Sequence, residues 1–238
     1  MTRHTRASTM PAERPTVKSA REIQPPKQER SRRTEANILS ATRELLKTKN
    51  LADIAISEIT SRAGASVGSF YARFPDKVAL LLALQEDAMS DVRANLSKRL
   101  DPDNWTHASL KTTVYDMIHS LVEVPGRHIP VFKAAFFGAL QNPLLATRVT
   151  AITEFKVELM ALLVLSKKDE IHVPNARAVA ISGARMIESV LQHRRIRGYV
   201  EAVEFIIPDA RLCPDLTQMY LSYLGAERPA SAAPRKKR

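Results

Sequence analysis

Residues 66–69 read Ser-Val-Gly-Ser, a run of uncharged side chains between the small residues Ala63-Gly64-Ala65 and the aromatic pair Phe70-Tyr71. Serine hydroxyls donate and accept hydrogen bonds, and a valine side chain can contact an apolar group. Gly68 has no side chain, so the backbone there can approach another surface closely. Tyr71, Arg73 and Lys77 follow and add donors for phosphate groups. The run therefore offers a small, uncharged hydrogen-bonding surface, with donors for anionic groups beside it.

The residue types on which most enzymes depend are present but scattered. The six histidines show no metal-ligand spacing, and there is neither a glycine-rich phosphate loop nor a nucleophile elbow. Cys213 is the single cysteine, which excludes an intrachain disulfide and a four-cysteine zinc site. We predict that the protein is not an enzyme and holds no metal or cofactor.

Positive charge is concentrated at the two ends of the chain. The formal net charge is +11, of which residues 1–33 carry +6 and residues 226–238 carry +4. The remaining 192 residues are nearly neutral. Both ends are rich in Pro, Ala, Ser and Thr, which predicts a disordered basic arm and a disordered basic tail. Such segments bind polyanions or simply keep a protein soluble.

Composition predicts an all-α, soluble, cytoplasmic protein. The chain has 7 glycines among 238 residues and lacks the Asn-Gly and Asp-Gly pairs typical of hairpins. The longest apolar run, residues 159–165, is too short to span a membrane. Hydrophobic periodicity predicts a first helix over 34–49, capped by Thr34 or Ser31, and a long helix from the Asp76 cap to about Leu100. Later helices are predicted at roughly 106–123, 128–141, 144–166, 174–196 and 209–224.

Two short helices are predicted between these longer ones. Ile56, Ile59 and Ala63 share one face of the first, which ends at Gly64. The second covers 66–74, with Ser66 as its N-cap and Pro75 at its end. The small residues at the bend let the two helices approach each other. This is the spacing of a helix-turn-helix motif.

The segment resembles the DNA-binding motif of TetR-type one-component transcriptional regulators. The matching positions are Ile59, Ala63-Gly64-Ala65-Ser66, Gly68, Phe70-Tyr71, Phe74 and Lys77. The similarity covers about residues 34–84. It implies a three-helix DNA-binding domain over 34–82 and a helical ligand-binding and dimerisation domain over 83–225, flanked by the arm 1–33 and the tail 226–238. Ala55 departs from the pattern, because the family has a threonine cap there; Asp53 or Ser57 is expected to start the helix instead.

The resemblance implies a homodimer on a palindromic DNA operator, with helix 66–74 in the major groove and the protein at the nucleoid when bound. Phe70 and Phe74 are expected to face inward. The arm just before the first helix is expected to reach the minor groove or the backbone. The expected DNA-binding residues are Arg32, Arg33, Ser57, Ser66, Val67, Gly68, Ser69, Tyr71, Arg73 and Lys77.

The body is expected to bind a small lipophilic or aromatic effector that releases a repressor from DNA. The candidate pocket residues are Tyr115, His119, Phe132, Phe136, Phe155 and Met186. Apolar stripes on the last two helices are the candidate dimer interface: Val179, Gly183, Ile187, Val190, Leu191, Leu216 and Tyr220. Ordinary core packing is the alternative interpretation of both sets. A nonspecific, architectural nucleic-acid-binding protein is the alternative function, given the two basic ends.

Overall fold

The computed structural model describes residues 27–197 and 209–226, which fold into α-helices without any strand. The predictions for residues 1–26 and 227–238 therefore lie outside the described residues. The all-α prediction is confirmed. None of the described helices is long and apolar enough to cross a membrane. The helices are α1 Lys27–Leu46, α2 Ile56–Ala63, α3 Val67–Tyr71, α4 Lys77–Arg99, α5 Leu110–Glu123, α6 Ile129–Ala139, α7 Pro143–Leu165, α8 Ala176–Arg197 and α9 Asp209–Tyr223.

The first helix begins seven residues earlier than the sequence suggests. Residues 27–33, expected to belong to the disordered arm, form the first turns of α1. Thr34 does not cap the helix, because its hydroxyl donates to the carbonyl of Arg30 (2.9 Å) one turn earlier. These turns are exposed and charged, so they lack the apolar periodicity that would reveal a helix in the sequence.

The start of α2 also differs from expectation. Ala55 itself is the N-cap, and no side chain caps the helix, so neither Asp53 nor Ser57 takes over that role. The backbone N–H groups of Glu58 and Ile59 donate to the Ala55 carbonyl instead. The helix therefore lacks the side-chain hydrogen bond that a threonine cap supplies, worth about 1 kcal/mol.

The turn between α2 and α3 depends on backbone conformation at Gly64. This residue has φ 61°, in the left-handed region that glycine tolerates best. Its N–H donates to Ser61, and the N–H of Ala65 donates to Thr60, which together form a Schellman motif. A Cβ atom at Gly64 would meet nothing within 4 Å, so close helix approach is not the reason for the glycine.

Side-chain caps set the starts of the next helices. Asp76 accepts a hydrogen bond from the N–H of Ala79 (2.7 Å), which confirms it as the cap of α4. Ser109 caps α5 in the same way, so this helix begins at Leu110 rather than near residue 106. Pro102 opens a separate 3-10 turn over Pro102–Trp105.

Two hydrophobic cores meet along α4. The first joins α1, α2 and α3 to the start of α4 and to residues of α6 and α7, such as Ala135 and Leu145. The second fills the space between the end of α4 and helices α5, α7, α8 and α9. Phe132 on α6 is half-buried and packs against both cores. The domain formed by α1, α2 and α3 is thus connected to the body through packed side chains as well as through α4.

Helices α8 and α9 pack closely where a glycine faces a tyrosine. A Cβ atom at Gly183 would lie 2.3 Å from Cε2 of Tyr220, so only glycine allows this approach. The Tyr220 hydroxyl donates to the carbonyl of Ala180 at 2.6 Å. Burial raises the pKa of this phenol well above its usual value. The contact therefore fixes α9 on α8 within one chain.

Candidate nucleic-acid interface and ligand cavity

Helix α3 presents a small, uncharged surface to solvent. Ser66 and Gly68 are exposed, and Val67 and Tyr71 are 43% and 54% exposed. Ser66 caps the helix as predicted, accepting from the N–H of Ser69 at 3.0 Å. Its hydroxyl oxygen also lies 2.9 Å from that of Ser69. The helix is shorter than predicted, five residues rather than nine, because the chain turns after Tyr71.

Two phenylalanines hold α3 on its domain. Phe70 and Phe74 are buried in the core with Leu45, Ile59 and Leu81, which confirms that they face inward. The ring of Phe70 meets that of Tyr71 edge to face, with centroids 5.4 Å apart. The exposed residues of α3 therefore stand on a fully packed base.

Arg73 ties this region to the first turns of α1. Its guanidinium group donates to the carbonyl oxygen of Ser31 at 3.1 Å, to the Ser31 hydroxyl at 3.0 Å and to the carbonyl of Ser69 at 2.7 Å. The side chain is half-buried. The neighbours of Ser31, Arg32 and Arg33, are exposed on α1. Two cations expected on a disordered arm are thus held on a helix close to α3.

Lys77 does not fit the phosphate-binding role expected of it. Its ammonium group donates to three carbonyl oxygens, those of Leu51 at 3.0 Å, Ala52 at 2.8 Å and Ile54 at 3.1 Å. An ammonium group has three N–H donors, so all of them have partners within the chain. Lys77 instead holds the turn before α2 against the start of α4. Ser57 is exposed on α2, as a DNA-contacting residue must be.

Comparison with known proteins identifies this domain. Residues 38–84 match the family model described as bacterial regulatory proteins of the tetR family. Residues 38–84 are therefore similar to the DNA-binding domain of the TetR family. This confirms the resemblance drawn from the motif, and the three-helix arrangement of α1 to α3 is the helix-turn-helix domain of that family.

Relatives extend the likeness in two ways. An HTH-type transcriptional regulator of Bacillus subtilis, YvdT, whose own role is uncharacterized, is 37% identical over 71 residues. That match covers 29% of this chain and 37% of YvdT, so the chain matches little more than a third of its curated relative. Among solved structures, a protein described as a TetR-family regulator from Mesorhizobium loti aligns over 82% of this chain and 97% of its own, with a TM-score of 0.63 and 17% identity.

A second solved structure agrees with the first. A protein from Syntrophomonas wolfei, also described as TetR-family, covers 84% of this chain and 99% of its own, with a TM-score of 0.59 and 14% identity. At such identities the likeness shows the fold alone. The TetR-type domain of this chain is therefore followed by a helical body of the same overall architecture as theirs.

The body behind the TetR-type domain contains a cavity between α4, α6, α7 and α8. The cavity has a volume of about 50 Å³ and opens to solvent at its mouth. Phe132 and Phe136 line it, in agreement with the sequence prediction. Lys156, Glu188 and Arg195 also line it and were missed, because charged residues within a helix are ordinarily expected to face solvent.

Four of the predicted pocket residues lie outside this cavity. Tyr115 and His119 are exposed on α5 and stack on each other, with ring centroids 6.4 Å apart. Phe155 packs against the second core beneath the guanidinium group of Arg93. Met186 is 43% exposed on α8. None of the four lines the cavity, because helix orientation, which periodicity does not reveal, points them away from it.

Most of the predicted dimer interface is buried inside one chain. The sequence pattern correctly marked these residues as apolar and inward-facing, but their partners belong to the same subunit. Val179 and Val190 are half-buried and pack against the second core. The five fully buried residues are Gly183, Ile187, Leu191, Leu216 and Tyr220. These five residues therefore belong to the core of one chain rather than to an interface between two chains.

Within the described residues, no group of three histidine, cysteine, aspartate or glutamate side chains could hold a metal ion. The one cysteine, Cys213, is buried, and burial raises the pKa of its thiol. Its sulfur is therefore held mainly as the unreactive thiol.

Proposed function

We propose that this protein is a sequence-specific DNA-binding transcriptional regulator that inserts α3 into the major groove of an operator. The observation that carries the proposal is the exposed, uncharged face of α3, formed by Ser66, Val67, Gly68 and Tyr71 on a packed phenylalanine base. Small side chains on a rigid helix suit direct contact with base edges. The TetR-family match over residues 38–84 supports the same function.

Phosphate contacts come from residues around α3 in this proposal. Tyr71 is exposed on the helix, and Arg32 and Arg33 are exposed on the first turns of α1. Such contacts position a protein on DNA without selecting the sequence. Arg73 is half-buried and holds the first turns of α1 in place through its hydrogen bonds to Ser31. In this proposal it also binds a DNA phosphate.

The proposed active form is a homodimer on a palindromic operator. Large apolar side chains remain exposed on the last two helices of the single chain: Met186 at 43%, Met219 at 40% and Tyr223 at 43%. Exposed apolar side chains gathered on two adjacent helices favour a protein partner. Replacing Met219 with Arg is expected to convert dimer to monomer in analytical ultracentrifugation. An unchanged sedimentation coefficient would place the interface elsewhere.

We propose repression as the mode of action, because a dimer on an operator blocks polymerase without further contacts. The ligand-binding role belongs to the cavity between α4, α6, α7 and α8. A ligand that binds one spacing of the two recognition helices better than the other shifts the dimer off its operator. Genome-wide mapping of bound sites, followed by footprinting, tests regulation directly. We expect discrete palindromic footprints.

The alternative, an architectural nucleic-acid-binding protein, is favoured by the charge of the chain ends. Residues 1–33 and 226–238 together carry +10 of the net +11. Such a protein would coat any duplex evenly and would be indifferent to changes on α3. Val67→Thr separates the two functions, since it keeps the side-chain shape and replaces one methyl group by a hydroxyl. A regulator changes its operator preference with affinity for random DNA unchanged; an architectural protein shows no change on either DNA.

A further inference from the structure

Four charged side chains line the cavity between α4, α6, α7 and α8, and three of them, Lys156, Glu188 and Arg195, form one cluster. Lys156 on α7 is 6% exposed, and Glu188 on α8 is 1% exposed. The Lys156 ammonium group donates to Oε1 of Glu188, and the Arg195 guanidinium group donates to the same oxygen at 3.3 Å. Two cations therefore share one carboxylate, which leaves this buried cluster one positive charge in excess.

Excess charge in such a site is costly unless something compensates it. Burial lowers the pKa of Lys156 and the charge of Arg195 adds to that effect, while Glu188 opposes it. Arg195 has a second anchor, because it also donates to the carbonyl of Leu121 at 2.7 Å. Lys156 has three N–H donors, of which one reaches Glu188. Donors that face the cavity can thus receive an anionic group.

A second observation also points to a ligand. Oε2 of Glu188 is buried and has no hydrogen-bond partner among the described residues, although the side chain lines the cavity. A buried, unpartnered carboxylate oxygen is unfavourable and is ordinarily satisfied by a donor. A molecule that fits both features brings an anion for Lys156 and a hydrogen-bond donor for Glu188.

Most of the rest of the cavity wall is apolar, and Lys133, Thr153 and Gln192 are its other polar residues. Phe132 and Phe136 from α6 face Val149 and Ile152 from α7, with Val92 from α4 beside them. Such walls take up a hydrocarbon or aromatic body, and the charged cluster marks where its polar end must lie. The arrangement is that of a site for amphipathic molecules rather than for sugars or nucleotides.

We propose that this cavity binds an amphipathic carboxylic acid with a hydroxyl or N–H group beside its carboxylate. The carboxylate pairs with Lys156, the neighbouring donor binds Oε2 of Glu188, and the apolar body lies against Phe132 and Phe136. The inference rests on the proposed function only in treating this cavity as the effector site. It narrows the lipophilic or aromatic effector expected from the sequence to an acid.

Calorimetric titration of the full chain with four probes of equal chain length tests the proposal without DNA. The probes are octanoate, 2-hydroxyoctanoate, 1-octanol and octylammonium. We expect octanoate to bind about tenfold tighter than 1-octanol, because a charge-assisted hydrogen bond replaces a neutral one, and octylammonium to bind more weakly than either. The hydroxy acid is expected to bind tighter than octanoate. Equal affinity for octanoate and 1-octanol, or no binding of either, overturns the proposal.

Lys156→Met locates the effect, with Lys111→Met, an exposed lysine of α5, as the matched control. The first variant is expected to bind octanoate no better than 1-octanol, and the control to retain the wild-type preference. Loss of the preference in both variants, or in neither, contradicts the assignment to Lys156. If Lys156→Met does not fold, the ranking of the four probes on the wild-type chain still decides. Operator binding is measured separately, so either proposal can fail while the other stands.

Discussion

Arg73 and Ser31 are joined by three hydrogen bonds across 42 residues of sequence: the guanidinium group donates twice to the serine carbonyl and once to its hydroxyl. One partner follows the recognition helix, and the other lies in the first turns of α1. The orientation of these turns, and of the exposed Arg32 and Arg33 upon them, therefore depends on a residue of the helix-turn-helix motif.

Replacing Arg73 with Lys is expected to loosen the first turns of α1, because an ammonium group cannot reproduce the fork of donors on Ser31. Amide hydrogen exchange of residues 28–34 should become faster, with exchange in α4 unchanged. Arg62→Lys, on the exposed face of α2, is the control and should leave both regions as in the wild type. Unchanged exchange in the Arg73→Lys variant would show that the first turns of α1 are stable without these hydrogen bonds.

Replacing Lys77 with Met should destabilise the TetR-type domain, since three carbonyl oxygens lose their donor. The expected loss is about 2 kcal/mol in the free energy of unfolding by urea. Lys47→Met, an exposed lysine at the end of the first helical segment, serves as the control. If Lys77→Met keeps its stability and only lowers the salt dependence of DNA binding, the lysine is a phosphate ligand after all.

Gly183→Ala is expected to cost about 1–3 kcal/mol of stability, because the new methyl group overlaps the ring of Tyr220 and forces it to move. Gly126→Ala is the matched control, since a Cβ atom there meets nothing within 4 Å. Thermal unfolding of both variants decides. Equal melting temperatures for the two variants would mean that the Tyr220 ring moves aside without loss of stability.

Gln85→Met is expected to stabilise the protein. The Gln85 side chain is fully buried in α4, and neither its amide oxygen nor its amide nitrogen has a hydrogen-bond partner among the described residues. Replacing such a group with an apolar side chain is expected to raise the free energy of unfolding by about 1 kcal/mol or more. Gln141→Met, at an exposed position after α6, should leave the urea midpoint unchanged. A lower midpoint for Gln85→Met would reveal a partner that the native amide binds.

Asp91 is expected to make stability depend on acidity. The Asp91 carboxylate lies 2.9 Å from Nε2 of His128 and 2.7 Å from the Arg127 guanidinium group, and hydrogen bonds with these two side chains hold the pKa of Asp91 below its ordinary value. A lowered pKa in the folded state stabilises the fold above the unfolded pKa of about 3.9, and that contribution disappears as pH falls through the folded value. Asp91→Asn should therefore be less stable than the wild type at neutral pH, with the difference shrinking below about pH 4.

The control for this dependence is Asp169→Asn, at an exposed residue of the turn between α7 and α8. Its free energy of unfolding should match that of the wild type both at neutral pH and below about pH 4. A difference between Asp91→Asn and the wild type that persists unchanged in acid would assign the effect to packing rather than to the charge of the carboxylate.

The parts of this fold that local chemistry determines could be predicted from sequence. Ser66 and Asp76 cap their helices, Gly64 ends α2, and the inward direction of Phe70 and Phe74 follows from helical spacing. Each depends on residues within about one turn of itself. The helix-turn-helix was recognisable for that reason.

Features that depend on distant partners could not be predicted. The first turns of α1 have no apolar stripe, and their contact with Arg73 joins residues far apart in sequence. An apolar stripe on α8 indicates burial but does not reveal whether α9 of the same chain or a second subunit covers it. Lys156 and Glu188 look like surface charges until the fold brings α7 and α8 together.

Phe132 belongs to both cores and to the cavity wall at once. A ligand that displaces this ring disturbs both the core beneath α1, α2 and α3 and the core of the body. In the proposed regulator, the ligand cavity and the DNA-binding domain therefore share one aromatic side chain.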